Sequence, residues 1–289
     1  MFGNGINRCF NAKSWSAIIA EISASTSLRL NNRFLNILSF DCQQIETNKI
    51  SKKNLLSKVR EDTKLSKEDL ERCKNFYKNF TDLGCDCYLT TNYGYEIESS
   101  LGDFDETKIE EYCTNKRETV SSLKRANVVN GHKVYHIHGE HCFEDSICIG
   151  LQHYINNISH IDRRMQEAYG LLDEPEIRST LRSALSHTWV KHMLFSNVHF
   201  VGFGLDQSEI DLWWLFALRA SWISQGLLKE NKIVYHYSEP KPCNALLKDY
   251  LNKMYVEVDE TIVDAKDPDG YKKAYLKIAN KIKKALDKE

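Results

Sequence analysis

The chain has 289 residues, of which 42% are hydrophobic and 27% charged, and its formal net charge is -1. This composition is typical of a folded globular protein, and the balanced charge excludes an overall electrostatic attraction to nucleic acid or to an anionic membrane. No secretory signal is evident, and no apolar stretch approaches the roughly 18 residues that a membrane-spanning helix needs. We therefore expect a cytoplasmic protein whose partners are selected by a local site.

The first predicted feature is a glycine turn, in which residues 3–8 read Gly-Asn-Gly-Ile-Asn-Arg. Two glycines let a backbone approach a phosphate closely, and the charge of Arg8 suits a pyrophosphate. A short G-x-G also occurs in ordinary turns, so the pattern alone is weak. Only Met1 and Phe2 precede the turn, so either the first strand is very short or the chain begins inside a longer natural sequence.

A charged helical segment follows at residues 50–82, with a capping signal at Ser66. Residues 85–89 are predicted to form a short strand that ends in two threonines and Asn92. The carboxamide of Asn92 can hold a water molecule or a sugar hydroxyl in position. An asparagine that simply occupies a turn is the ordinary alternative.

The second predicted strand covers residues 133–138. A histidine at its end titrates near neutrality and can accept a proton from a ribose hydroxyl, whereas a core or capping histidine is the ordinary alternative. His136, His138 and Glu140 alternate along this segment, so we expect them to share one face. With His141 and Cys142 nearby, a metal site is an alternative. The spacing matches no familiar zinc pattern, however, and no C-x-x-C occurs among the nine cysteines, so we expect no metal.

Residues 152–192 are predicted to be mostly helical, and residues 198–201 are predicted to form the third strand. This strand leads into a second glycine turn, Gly-Phe-Gly at 202–204, and then into an apolar helix at about 209–225.

Three carboxylates crowd the start of that helix, namely Asp206, Glu209 and Asp211. Carboxylates at a helix N-terminus interact favourably with its dipole and repel phosphate. The second glycine turn therefore suits ribose hydroxyls or adenine better than pyrophosphate. Capping of the helix by Asp206 or Ser208 is the alternative interpretation.

Two more strands are predicted at 233–237 and 254–258, before a C-terminal helix whose lysines lie outside its apolar face. Strands that alternate with helices predict an α/β fold with a mostly parallel sheet and helices on both faces, and we expect one domain over residues 1–289. In such sheets ligands bind beyond the carboxyl ends of the strands, which is where the polar clusters of this sequence fall.

Taken in order, these clusters resemble the sirtuin-like family, and in particular its bacterial branch of NAD-consuming phage-defence effectors. The resemblance is carried by G-N-G-I-N-R at 3–8 with S-W at 14–15, L-T-T-N-Y at 89–93, H-I-H-G-E at 136–140, V-G-F-G-L-D at 201–206 and, more weakly, I-G-L-Q-H-Y at 149–154. It implies a Rossmann-like fold with a helical insert at about 152–196, NAD as the ligand, and a homo-oligomer.

The resemblance also implies roles for individual residues. In sirtuin-like enzymes, an Asn in the T-N motif and a His before Gly flank the nicotinamide ribose. Asn92 would therefore position water or the ribose, and His138 would engage ribose hydroxyls, during cleavage of the C–N bond to nicotinamide. The implied NAD contacts are Gly3, Asn4, Gly5, Asn7, Arg8, Thr91, Gly202, Gly204 and Asp206.

Two departures from the family pattern bear on the reaction. Relatives commonly place Asp after the T-N-Y triplet, where this chain has Gly94. Glu96, two residues further on, is a candidate replacement for that carboxylate, and the sequence leaves this question open. Protein-deacylating sirtuins carry a zinc ribbon of paired C-x-x-C motifs, which this sequence lacks. The lack favours hydrolysis of NAD to nicotinamide and ADP-ribose over deacylation, and fits an effector that depletes NAD in abortive infection.

Two other functions stay open at this point: an NAD-dependent protein deacylase, and a non-catalytic module that senses NAD or ADP-ribose. No sensor region is evident after the core, so we expect any activating signal to arrive through assembly, a partner protein or a phage component. We expect neither nucleic acid nor membrane as a partner.

Overall fold

The structure is a computed structural model that describes residues 1–15, 17–18, 36–46, 52–115, 123–169 and 177–288. The strands of this part of the chain are β1 (Cys87–Thr90), β2 (Asn127–Val129), β3 (His132–His136), β4 (Val198–Phe200), β5 (Ile233–Tyr237) and β6 (Val256–Glu260). Its α-helices are α1 (Gly5–Arg8), α2 (Asn36–Glu46), α3 (Lys52–Thr63), α4 (Lys67–Thr81), α5 (Glu96–Leu101), α6 (Ile109–Tyr112), α7 (Leu151–Tyr169), α8 (Ile177–Ala184), α9 (Trp189–Phe195), α10 (Ile210–Ser224), α11 (Ala245–Lys253) and α12 (Gly270–Leu286).

The predicted strands are present, with corrections at some ends. β5 has the predicted bounds, whereas β6 begins two residues later than predicted because α11 and the turn after it occupy the preceding residues. β3 ends at His136, because the amide of Gly139 donates to the carbonyl of His136 at 3.1 Å and closes a turn. His138 therefore lies just beyond the strand, and the expected alternation from His136 to Glu140 is wrong.

Residues 1–3 form a very short strand at the centre of the sheet, which we call the N-terminal strand. Phe2 bridges in parallel to Thr90 on one side and to Val201 on the other, and its amide donates to the carbonyl of Leu89 at 2.8 Å. β1 pairs with β3, β4 with β5, and β5 with β6, all in parallel, while β2 pairs antiparallel with the outer edge of β3.

The strand order is therefore β3, β1, the N-terminal strand, β4, β5, β6. If the N-terminal strand is counted as the first strand and the antiparallel β2 is left out, the parallel strands lie in the order 3-2-1-4-5-6. This is the arrangement of Rossmann folds, with β2 added at one edge. The structure confirms the predicted Rossmann-like, mostly parallel sheet. The order reverses between the N-terminal strand and β4, and in such sheets the ligand crevice lies at that reversal.

Helices cover both faces of the sheet, because neighbouring residues of a strand point to opposite sides. Tyr88 and Val134 pack with apolar residues of α4 and α12 on one face. Leu89 and Tyr135 pack with apolar residues of α9 and α10 on the other. The two faces bury separate apolar clusters, and the central strands are thereby held between two cores.

The charged segment predicted at 50–82 contains two helices, α3 and α4, and its residues 50–51 lie outside the described part of the chain. The break falls at the predicted capping signal. The amide of Asp69 donates to Oγ of Ser66 at 3.1 Å, which satisfies one of the free N–H groups at the start of α4.

The segment predicted as a helical insert contains α7, α8 and α9, which lie between β3 and β4 along the chain, and residues 170–176 of it are outside the described residues. α7 contacts both α8 and α10, so it packs against the helix that follows the second glycine turn. The description of this segment as an insert in a single domain stays a prediction.

Candidate functional site

A cavity of about 820 Å³ opens at the reversal of strand order, a volume within the usual range of small-molecule sites. The cavity is lined by all eleven residues predicted to form the site: Gly3, Asn4, Gly5, Asn7, Arg8, Thr91, Asn92, His138, Gly202, Gly204 and Asp206. The structure thus brings the four polar clusters of the sequence to one place, as the ends of neighbouring parallel strands require. The roles of the individual residues stay predictions.

The two glycine turns pack against each other, backbone to backbone. The amide of Gly5 donates to the carbonyl of Gly202 at 2.7 Å, and that of Gly3 donates to Val201 at 3.1 Å. A Cβ atom added to either glycine of the first turn would lie 2.7 Å from the oxygen of Gly202. These glycines are therefore required by the contact between the turns. Gly204, by contrast, faces open space.

Asn7 anchors the first glycine turn to α4. Its Oδ1 accepts a hydrogen bond from the hydroxyl of Tyr77 at 2.8 Å, its amide group donates to the carboxylate of Glu96, and the residue is only 4% exposed. Both ends of this carboxamide are thus engaged within the protein. Asn7 lines the cavity while its side chain holds the turn in place.

The departure at Gly94 has a structural counterpart in Glu96. A Cβ atom on Gly94 would lie 2.9 Å from the carboxyl carbon of Glu96, so the Glu96 side chain fills the space that a side chain at position 94 needs. Glu96 is buried, and this burial raises the pKa of its carboxyl to about 7. The carboxyl group of Glu96, which comes from α5, therefore lies beside position 94 and bonds to Asn7, which lines the cavity.

Asn92 is fixed by hydrogen bonds to β1 and to the N-terminal strand. Its amide donates to Oγ1 of Thr90 at 3.0 Å, and its Nδ2 donates to the carbonyl of Gly3 at 3.3 Å. Thr90 in turn donates to the carbonyl of Phe2 at 3.1 Å. The Asn92 side chain is thus held at the junction of β1 and the N-terminal strand, which suits a group that must be positioned before a substrate arrives.

A buried chain of polar groups, not predicted from the sequence, holds the backbone of Asn92. Nδ1 of His136 lies 2.8 Å from the carbonyl oxygen of Asn92, and Nε2 lies 2.8 Å from Oε1 of Glu98. Both partners accept hydrogen bonds, so both ring nitrogens carry protons. Burial alone would lower the pKa of His136, but the charges and hydrogen bonds around it, with Glu98 foremost, outweigh burial and raise it to about 9. Beyond Glu98 the chain continues through Asn127, Glu140 and Arg125.

His138 is buried against a carboxylate that the sequence did not assign to the site. Its Nε2 lies 3.1 Å from Oδ2 of Asp211, and the same oxygen accepts a hydrogen bond from Asn157 at 2.7 Å. The amide of Leu212 donates to the other oxygen of Asp211 at 2.9 Å. Burial alone would lower the pKa of His138, but Asp211 and then Glu209 outweigh it and raise the pKa above its ordinary value. His138 is therefore held in one orientation, with Nε2 toward Asp211.

Glu209 completes a cluster with His138 and Asp211. Its Oε2 lies 3.7 Å from Nδ1 of His138, and one potential metal ligand atom from each of the three residues lies within 4.8 Å of the others. Such spacing fits one cation, but Asp211 already accepts hydrogen bonds from three N–H donors. We interpret the cluster as a hydrogen-bonded network.

The alternative metal site around His136 and Cys142 does not fit the geometry. Both nitrogens of His136 are hydrogen-bond donors, and Glu140 lies 2.7 Å from Nε of Arg125. The sulfur of Cys142 lies 3.7 Å from the backbone oxygen of Glu106 instead.

Asp206 closes the second glycine turn as well as lining the cavity. Its Oδ1 accepts a hydrogen bond from the amide of Ser208 at 2.8 Å, and its carbonyl accepts one from the Trp213 indole at 3.0 Å. The N-cap residue of α10 is Glu209, which makes no side-chain capping bond. Asp206 therefore supports the turn before the helix, and this structural role is compatible with the predicted ligand contact.

The cavity extends to residues that the sequence analysis did not assign to the site. They are Tyr235, Tyr237, Ser238, Glu239, Tyr271, Lys272 and Tyr275. The hydroxyl of Tyr271 donates to Oε2 of Glu239 at 2.9 Å. A signal was available for part of this set, because Ser238 and Glu239 follow β5 directly, as the other polar clusters follow their strands.

A Rossmann-like sheet whose crevice is lined by two glycine turns and a polar strand-end cluster is the framework of a nucleotide-binding protein. The model of one family, described as SIR2-like domain, matches residues 86–256, which is more than half of the chain. The chain therefore belongs to the SIR2-like family, as its motifs predicted, and SIR2-like domains bind NAD. The match includes Asn92 and His138. No curated protein matches the chain.

Among the described residues, no helix is both long enough and apolar enough to cross a membrane. The cytoplasmic location stays a prediction.

Proposed function

We propose that this chain hydrolyses NAD at the bond between nicotinamide and ribose and releases nicotinamide and ADP-ribose. The observation that carries the proposal is that Asn92 and His138, from the ends of two strands, line one cavity with both glycine turns in a SIR2-like chain. The cavity is lined by a cationic residue, Arg8, and by several tyrosines, a set of groups that suits a dinucleotide.

The proposed chemistry asks little of the protein beyond positioning and electrostatics. Nicotinamide in NAD is already a cationic leaving group, so no acid is needed to protonate it. The protein must hold the ribose, position water and stabilise the charge that develops on the sugar. We assign the first two tasks to Asn92, and contact with the ribose hydroxyls to His138, whose orientation is fixed by Asp211.

Hydrolysis is favoured over protein deacylation because the sequence lacks the paired C-x-x-C motifs of a zinc ribbon. From the resemblance alone, we further propose that the chain depletes NAD in defence against phage. In that setting it would act as a cytoplasmic homo-oligomer whose trigger is a partner protein or a phage component.

Omission of the acyl substrate separates the candidate functions. The purified protein, alone and with phage lysate, is incubated with NAD and no peptide, and products are followed by chromatography. We expect nicotinamide and ADP-ribose. Release of nicotinamide only when an acylated peptide is added would show deacylation instead. NAD that binds but survives every triggering condition would favour the sensing module.

A further inference from the structure

Glu209 lines the cavity, and its carboxylate neither caps a helix nor accepts a hydrogen bond at Oε2 among the described residues. It stands at the start of α10, yet its side chain does not cap the helix. Its Oε2 is buried and has no hydrogen-bond partner among the described residues. A buried acceptor without a partner destabilises the folded protein, so its retention needs another explanation. The side chain nevertheless lines the cavity and lies 3.7 Å from Nδ1 of His138.

The neighbours of Glu209 are less suited to accept a proton. Asp211 is fully buried, and three N–H groups already donate to its oxygens. Both ring nitrogens of His138 face carboxylates, because Nε2 lies 3.1 Å from Asp211 and Nδ1 lies 3.7 Å from Glu209. Burial, foremost, raises the pKa of Glu209 to about 7, a value suited to a base that works near neutral pH.

We infer that Glu209 is a further catalytic residue, which accepts the proton of the water molecule that attacks NAD. The inference rests on the proposed NAD hydrolysis. The water oxygen forms a bond to the ribose carbon that carried nicotinamide, and the C–N bond breaks with its electron pair remaining on nicotinamide, which leaves neutral. One water proton goes to Glu209 and then to solvent. The balance is NAD and water to nicotinamide, ADP-ribose and one proton.

The test compares Glu209→Gln, which keeps the shape of the side chain but removes its basicity, with the wild type. We expect kcat to fall by about a hundredfold or more, as for loss of a general base. Affinity for the product ADP-ribose, measured by calorimetry without turnover, is expected to change by less than about threefold, since base catalysis acts on the reaction and not on binding. Wild-type kcat is expected to fall as the pH drops below about 7, and the residual activity of the variant is expected to lack that fall.

Two further variants complete the experiment. Glu257→Gln alters an exposed carboxylate on β6 that does not line the cavity, and is the matched control expected to behave as wild type. Glu209→Asp keeps a carboxylate, so it is expected to keep the acidic fall in rate at a reduced kcat. It also preserves the test if the glutamine variant fails to fold.

Three outcomes would overturn the inference. A Glu209→Gln protein that retains wild-type kcat and pH dependence would remove Glu209 from the mechanism and leave the proposed function standing. Loss of wild-type activity in chelator, restored by a divalent cation, would replace proton transfer by metal ligation in this cluster. A wild type that releases no nicotinamide from NAD would overturn both proposals together.

Discussion

Asn92 joins β1 to the first glycine turn through its side chain, and its backbone is held by His136. If the carboxamide positions water or ribose, Asn92→Ala is expected to lower turnover by about a hundredfold or more, comparable with the loss of one preorganised polar contact. The lost bond to Gly3 is expected to cost about 1 kcal/mol of unfolding free energy. A folded variant with the wild-type rate of nicotinamide release would contradict the assignment.

His136 predicts a pH dependence of stability. Its folded-state pKa of about 9 lies above the ordinary value of 6.5, so the folded protein holds the proton more tightly than the unfolded chain. This stabilisation is complete below pH 6.5 and is lost as the pH rises through about 9. We expect the unfolding free energy of the wild type to decline over that window, and His136→Gln to decline less.

Denaturant titrations at several pH values would measure this difference. His132→Gln, on the same strand but bonded to Cys85, is the matched control. An equal decline in the His136 variant and the wild type would show that the proton on His136 contributes nothing to stability.

Among individual residues, the sequence predicted the cavity residues that belong to short motifs. It did not predict the carboxylates that bond to the histidines of the site. Asn92 and His138 each follow a strand, where a polar residue is informative without knowledge of its neighbours. Glu98 and Asp211 are separated from their histidine partners by 38 and 73 residues, and nothing in their local sequence distinguishes them from helix-surface carboxylates.

The helix α7 brings a side chain to the site from outside the sheet. Asn157 is buried and donates to Asp211, which orients His138. Asn157→Ala is therefore expected to lower turnover by about tenfold, because small misplacement of a catalytic group is costly. Asn156→Ala, on the exposed side of the same helix, is expected to leave turnover unchanged. The steady-state rates of the two variants would test this role. Equal rates would show that Asn157 does not help to orient His138.

Elements with a long or regular pattern were predicted well, and short ones were not. β5 is a run of β-branched and aromatic residues, and its bounds match the prediction. β2 has three residues, too few to show alternation, and it exists through its antiparallel pairing with β3. The predicted helical segment at 50–82 divides at Ser66, where the capping bond outweighs the continuous helical periodicity.

At the scale of the whole molecule, the site depends on the contact between the two glycine turns. A methyl group on Gly5 would approach the carbonyl of Gly202 to 2.7 Å and collide with the Tyr275 hydroxyl, so one turn must shift. Gly5→Ala is expected to reduce the unfolding free energy by about 1–3 kcal/mol, as for other overpacked sites. It is also expected to weaken ADP-ribose binding.

Gly204→Ala is the matched control for stability, since nothing lies within 4 Å of the added carbon. Urea unfolding and calorimetry would measure both variants. Equal unfolding free energies would show that the turns have room to separate.

The N-terminal strand has a consequence for synthesis. Residues 1–3 are made before their partners, because Phe2 bonds to Thr90, which is 88 residues further along the chain, and Met1 bonds to His199, which is 198 residues further along. Because chains emerge from the ribosome in order, the first glycine turn cannot form its hydrogen bonds to the second turn until the second turn has been translated. An unfinished chain that stops before Gly202 lacks one wall of the cavity. On the proposed function, such a nascent chain is expected to be inactive toward NAD.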